Sequence, residues 1–357
     1  MLDFTSALYL GMQHASWSLD AWESLTSGRP AALASPLGSR EVAKRLAALQ
    51  GVERALLAPS TLHLFWDLFG VLSGGRVAIY LDAGVYPIAR WGAERAAARG
   101  VPVREFPHHN AQALLKQLER DAASGRKPLV VADGFCPGCG KSFPVAEYLE
   151  CARAFGGFLI LDDTQSLGIL GHSPGRDTPY GRGGGGIRPW SNLSGSDMVL
   201  ISSMAKGFGV PAAALSGSER MIRYFESKSE TRVHTSPPSV AAINAARHAL
   251  DLNDNQGDDL RKRLASLVSH FRRQLRREGF NATGGLFPVQ TLAGVNGLDL
   301  ATLHERLLRD GVRTVLHHAR NSDGARISFV ITARHTPADI LHAVEALALV
   351  ARGGRVR

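Results

Sequence analysis

Cysteine is scarce. Three in 357 residues, Cys136, Cys139 and Cys151, cannot make the paired framework that staples small secreted folds. No apolar run approaches the roughly 20 residues that a membrane-spanning helix needs. The opening Met1-Leu2-Asp3-Phe4-Thr5 has neither the basic start nor the apolar stretch of a secretory signal. A cytoplasmic chain without membrane association is therefore expected. Acidic residues are outnumbered, 32 Asp and Glu against 41 Lys and Arg, which gives a formal charge of +9. The excess is mostly arginine and is spread along the chain. It suits anionic ligands such as phosphates or CoA-like thioesters, and equally a solvated basic surface. No nucleic-acid recognition motif accompanies it, so no nucleic-acid partner is expected. Internal repeats are absent.

What is present is a long alternation. Ser39 can cap a helix with Val42, Leu46, Ala47 and Leu49 on its apolar side, closed by Gly51. Helices are predicted over 60–72, 87–99, 111–122 and 145–155. Between them lie apolar strands over 54–58, 77–81, 101–106, 129–132, 158–161 and 198–201. Continuous apolar strands separated by helices imply an α/β fold, a mostly parallel sheet covered on both faces. Ligands of such sheets bind beyond the carboxyl ends of the strands, which singles out Ser60, Asp162 and the turn after Ile201. Residues 171–196, with Gly183 to Gly186, read as a flexible loop near that edge. From Ser239 the texture changes to helices over 240–252 and 260–278, then a smaller α+β region. Thr336-Pro337-Ala338-Asp339 opens the last helix with a capping box. The domains expected are an N-terminal segment (1–38), a large domain (39–245) and a small C-terminal domain (246–357).

Two local motifs are weak. Cys136-Pro-Gly-Cys139 has the spacing of a metal knuckle or redox pair, but a zinc site built on cysteines wants a second pair, so a plain turn and no metal are expected. Gly134 to Ser142 ends in Gly-Lys-Ser, yet its glycine spacing is one residue too long for a nucleotide phosphate loop and Pro144 follows at once.

The chemistry sits at two strand ends. Asp162, after the strand 158–161, can hold a ring nitrogen protonated. Lys206, in Ser202-Ser-Met-Ala-Lys-Gly-Phe-Gly209, occupies a glycine-flanked turn where partial burial favours a reactive amine. Around them the chain resembles the α-oxoamine synthases, fold-type I enzymes dependent on pyridoxal 5′-phosphate. The resemblance runs collinearly through Leu2 to Gly11, Asp133 to Pro144, Leu161 to Gly171, Ser203 to Gly209, Ala212 to Ser218, Thr235 to Pro238 and Ala325 to Thr336.

That resemblance implies a large sheet domain and a small C-terminal domain working as a homodimer. It implies that Lys206 holds the cofactor covalently and later moves the α-proton, with Asp162 on the pyridine nitrogen. Ser60, Thr61 and Leu62 would bind the phosphate with their backbone N–H groups, Ser203 would add a hydroxyl, and Thr235 would reach the phosphate of a neighbouring subunit. Asp133 would stand at the cofactor too. Three positions depart from the family. Tyr86 stands where it stacks a histidine on the ring, and Gln165 replaces the histidine that meets the phenolic oxygen. Ser328 stands in place of the arginine that grips the substrate carboxylate, with Arg326 two residues earlier on the same strand face. The implied reaction joins an amino-acid-derived carbanion to an acyl thioester carried by CoA or a carrier protein. An aminotransferase, which Tyr86 favours, a β- or γ-replacement enzyme, and a non-enzymatic binding protein of the same fold are the alternatives.

Overall fold

A computed structural model describes residues 1–292, 299–318 and 325–353. The first strand, β1 (Leu2–Asp3), is followed by turns and one short 3-10 helix (Ser16–Ser18) as far as α1 (Ser39–Gln50). Helix α1 buries Val42, Leu46 and Ala47 and stops where Gly51 turns left-handed. Its cap is Gly38 rather than Ser39. Glycine supplies the φ of 84° that swings the chain into the helix, and Ser39 becomes the first helical residue.

Strand and helix then alternate as β2 (Arg54–Ala58), α2 (Thr61–Leu72), β3 (Val77–Asp82), α3 (Pro87–Ala98), β4 (Val103–Phe106), α4 (Ala111–Asp121) and β5 (Lys127–Asp133). The hairpin β6 (Phe135–Cys136) and β7 (Lys141–Ser142) occupies the Gly-Lys-Ser stretch. The helix that a phosphate loop requires at that point is a strand instead. Next come α5 (Val145–Ala154), β8 (Phe158–Asp162), α6 (Ile187–Trp190), β9 (Met198–Ser203) and β10 (Ala213–Gly217). Helices α7 (Glu219–Lys228) and α8 (Glu230–His234) complete this part.

The main sheet has seven strands in the order β2-β10-β9-β8-β5-β3-β4, all parallel except β10. Side chains alternate between its faces. Leu159 and Leu161 of β8 join one apolar cluster, while Ile160 between them joins the other. Both faces are covered, which explains strands without polar alternation. Truncating Ile160 to Ala would cost about 2–5 kcal/mol.

Helix α9 (Val240–Arg277) is one continuous rod of 38 residues, where two helices were expected. The polar stretch at 254–257 interrupts the apolar pattern without interrupting the helix. Gly257 makes room there for the buried Arg261, because a Cβ at that position would lie 2.8 Å from its guanidinium. The boundary expected at 245/246 falls inside this rod. The remaining elements are β11 (Val289–Leu292), α10 (Leu300–Arg309), β12 (Val312–Arg313), β13 (Val315–His318), β14 (Ala325–Val330) and α11 (Pro337–Ala351). Strands β11, β14 and β13 form an antiparallel sheet. Helix α11 starts with the expected capping box of Thr336 and Asp339 and with Pro337 in its first turn. The chain's first residues join this small sheet region: β1 pairs with β12, and Phe4 stacks on His335.

The glycine-rich stretch is packed, not the flexible loop its composition suggests. Its glycines permit backbone-to-backbone contact: a Cβ on Gly171 would sit 1.8 Å from the Arg182 carbonyl oxygen. Ile187 N–H donates to Asp163 at 3.0 Å, Gly183 N–H donates to Asp258 at 3.0 Å, and the buried Tyr180 hydroxyl donates to Leu286 O.

Candidate active site

Parallel strands deliver several side chains to one edge. Asp133 and Asp162 end β5 and β8 and are register partners. Ala58 of β2 and Ser203 of β9 both pair with Ala213, so α2 begins on the same edge as the turn that carries Lys206. The Lys206 turn is seated by glycines. A Cβ on Gly207 would meet Leu167 O at 2.4 Å, and one on Gly209 would meet Met12 O at 2.6 Å. The Lys206 ammonium lies 6.0 Å from the centre of the Tyr86 ring, whose side chain is 51% exposed and so offers a face.

Electrostatics follow from burial. Desolvation lowers the Lys206 pKa against the pull of Asp162 and Asp133. Burial raises Asp162, opposed by hydrogen bonds from Thr164, whose N–H donates at 3.0 Å, and by the Lys206 charge. Asp133 is pushed well above the usual carboxylate range by burial and then by Asp162, although Tyr86 N–H donates to it at 3.1 Å. Two buried carboxylates beside one amine leave a site ready for a further cationic or N–H group.

The polar fittings face the same edge. Tyr9 donates its hydroxyl to Gln165 Oε1 at 2.7 Å, which leaves the amide NH2 as a donor. Ser203 receives the Ala205 N–H at 3.2 Å and is itself held through its N–H by Thr164 Oγ1. Ser60 is extended and does not cap α2 with its side chain. Its hydroxyl pairs with His63 Nδ1 at 2.8 Å, and the first turn of α2 carries no acidic residue. The N–H groups of Thr61 and Leu62 therefore face outward from a helix start suited to an anion.

Tyr86, Asp133, Asp162, Lys206, Gln165 and Ser203 are thus brought to one edge, with Ser60, Thr61 and Leu62 on the same side. Thr235 lies elsewhere along that wall. Its hydroxyl donates to Thr231 O at 2.8 Å, and it lines a cavity with Pro59 and His63. Arg326 sits half-buried on β14, opposite His317 and on the face that carries Ser328. Ser328 pairs with Thr291 and His317. Among the described residues, no hydrogen bond, ion pair or ring contact joins Arg326 or Thr235 to the Lys206 cluster.

Sequence reasoning missed three supports. Tyr9 orients Gln165 and was legible only as part of a resembling N-terminal stretch. Asp163, fully buried beside Asp162, is raised to about 7 by burial even though it accepts the Ile187 N–H; it anchors the glycine-rich stretch. Arg261 donates to Gly168 O and Asn253 Oδ1, both at 2.9 Å, and ties α9 to the loop after β8. Nor did the sequence couple Cys139 to His108 and His109, which the fold places beside it.

The residues fit pyridoxal 5′-phosphate: a buried acid for the ring nitrogen, an amine of lowered pKa, an exposed aromatic face, an oriented amide donor and an unblocked helix start. Fold and site together define a fold-type I pyridoxal phosphate transferase. The chain belongs to the aminotransferase class I and II family, whose profile matches residues 1–347. Its relatives include 8-amino-7-oxononanoate synthases. That of Alcanivorax borkumensis is 27% identical over 312 residues, 87% of this chain and 76% of the relative. That of Sodalis glossinidius is 28% identical over 355 residues, 97% of this chain and 87% of the relative. Among solved structures, serine palmitoyltransferase from S. paucimobilis superposes with a TM-score of 0.84 at 18% identity, covering 98% of this chain and 86% of that one. The 8-amino-7-oxononanoate synthase of Francisella tularensis gives 0.76 at 17%, covering 99% and 98%. Among the described residues no helix is long and apolar enough to cross a membrane.

Proposed function

We propose that the protein forms a carbon–carbon bond between an amino-acid-derived carbanion and the acyl carbon of a thioester, releasing the thiol. The observation that carries this reading is the triad of Lys206, Asp162 and Tyr86 gathered at the carboxyl edge of the sheet, within a chain that aligns with synthases of this type along most of its length. Bound at Lys206, the cofactor supplies an electron sink for negative charge at the amino acid's α-carbon. Lys206, whose amine burial shifts toward the unprotonated form, takes and returns the α-proton. With the cofactor bound, Asp162 would keep the ring nitrogen protonated, Tyr86 would offer its face to the ring, and the Gln165 NH2 would donate to the phenolic oxygen. Ser203 and the N–H groups of Ser60, Thr61 and Leu62 would hold the phosphate. Arg326 is assigned to the substrate carboxylate.

The acyl donor is an acyl-CoA or an acyl carrier protein, which the net charge of +9 suits. A cytoplasmic homodimer fits the three unpaired cysteines and the exposed Trp17, Leu33 and Leu37 of the N-terminal segment, at 87%, 76% and 92% exposure. Thr235 would then serve the neighbouring subunit's phosphate.

The test is to incubate the cofactor-loaded enzyme with amino acids and acyl-CoAs in combination and to follow free thiol. Thiol release that needs both substrates supports the reading. The second reading, transamination, rests on Tyr86. Keto acid formed without thioester consumption would establish it instead.

A further inference from the structure

The segments after β4 and β5 bring together four side chains that the proposed reaction does not use. Cys136 ends β6 and Cys139 lies in the turn of the β6–β7 hairpin, and His108 and His109 sit in the loop between β4 and α4. One ligand atom from each of His108, His109 and Cys139 lies within 4.8 Å of the other two. His108 Nε2 is 3.8 Å from the Cys139 sulfur. Cys136, the last residue of β6, falls outside that cluster, its sulfur more than 4.8 Å from at least one of the three.

The surroundings are built for ligation. Asp82, fully buried, accepts from His108 Nδ1 at 2.7 Å, from the His109 N–H at 3.0 Å and from the Tyr148 hydroxyl at 2.6 Å. That fixes the His108 tautomer and leaves the Nε2 lone pair directed at Cys139. Holding the His109 N–H keeps that residue at a φ of 58°, a conformation that few side chains adopt. His109 Nε2 is buried and has no hydrogen-bond partner among the described residues. Phe143 closes the site against both imidazoles. In the hairpin, Gly140 at φ 70° lets its N–H donate to Cys136 O at 2.8 Å and closes the turn that carries Cys139.

We propose that Cys136, Cys139, His108 and His109 form a structural tetrahedral site for a divalent transition metal of the zinc class. Two thiolates and two neutral imidazoles balance a dication, and this soft nitrogen and sulfur set selects zinc over magnesium or calcium. Binding releases the two thiol protons to solvent. Zn–S and Zn–N bonds of about 2.3 and 2.0 Å place ligand atoms about 3.5 Å apart. Closure therefore requires the His108, His109 and Cys139 atoms, now within 4.8 Å of one another, to draw together and the Cys136 sulfur to swing in as the fourth ligand. The site would bolt the strand end that leads to Tyr86 onto a hairpin that also touches the small sheet region. Phe135 of that hairpin stacks on Phe287, and Thr283 Oγ1 reaches Gly138 O.

The experiment uses untagged, cofactor-loaded protein purified under reductant, incubated with zinc sulfate or cobalt chloride and gel-filtered. Elemental analysis is expected to find one zinc ion per chain. The cobalt form should show the d–d bands of a tetrahedral thiolate site at longer wavelength than any pyridoxal band. Cys136→Ser with Cys139→Ser should abolish both signals. His109→Asn, which tolerates the left-handed backbone, should weaken zinc binding, and Asp82→Asn should weaken it by about 10–100-fold in chelator competition. Wild-type protein that takes up no zinc after reduction, or a double serine variant that still holds one ion per chain, overturns the proposal. A Cys136–Cys139 disulfide with no metal uptake once reduced also overturns it and assigns the motif to redox chemistry.

Discussion

The backbone N–H of Tyr86 donates to Oδ1 of Asp133, so the aromatic face near Lys206 is fixed to the strand beside Asp162. The position of Tyr86 thus depends on a carboxylate that need not itself touch the ring. Asp133→Ala should leave the Tyr86 N–H without a partner and weaken pyridoxal phosphate binding by about tenfold, the effect of an unmet buried donor. Asp133→Asn keeps an oxygen there and should bind nearly as the wild type does. A spectral titration of the apo-protein distinguishes the two; equal loss in both variants would show that the negative charge, not the hydrogen bond, matters.

Lys206→Ala should lower turnover by about 10²–10⁴-fold, the range of a positioned proton transfer, while leaving the melting temperature of the apo-protein within a few degrees. Borohydride reduction of the cofactor-supplied wild type, followed by peptide mass spectrometry, should find the pyridoxyl group on Lys206. Its appearance on another lysine would dissolve the site as described.

Arg326→Leu should raise the KM for the amino acid by about 10–100-fold, the worth of a hydrogen-bonded charge pair, with a smaller change in kcat. Steady-state kinetics against the amino acid alone decides it. An unchanged KM would return Arg326 to the surface of the small sheet.

Asp163 gives a pH signature. Burial raises its folded pKa to about 7 from 3.8, so between those values the folded state holds a proton that the unfolded state has lost. Stability from this group is therefore present at low pH and falls by about 1.4 kcal/mol per pH unit as pH climbs toward 7. Asp163→Asn should flatten that part of the apo-protein's stability curve between pH 5 and 7. Urea denaturation across that range measures it, and identical slopes in the two proteins would refute the assignment.

Strands with unbroken apolar runs, such as β3 and β8, and helices closed by glycine, such as α1, were legible because one strong local rule governs each. Strand β10 was not. Its Ala-Ala-Leu-Ser-Gly is too small and mixed to stand out, and only pairing between β2 and β9 makes it a strand. The continuity of α9 was hidden because Gly257 answers to Arg261 packing and not to helix propensity. At the site, Lys206 and Asp162 were legible from motif order. Tyr9, Asp163 and the His108–Cys139 encounter were not, since each depends on segments brought together from different parts of the chain.

The unbroken span of α9 has a mechanical corollary. At about 1.5 Å per residue it is a strut of about 57 Å. It has no slack at Gly257, where Arg261 grips the Gly168 carbonyl. Any tilt of the strut's far end, near the small sheet, must therefore tug on the loop that follows Asp162. Displacement of the small sheet would thus reach the segment after Asp162 through one rod and one guanidinium.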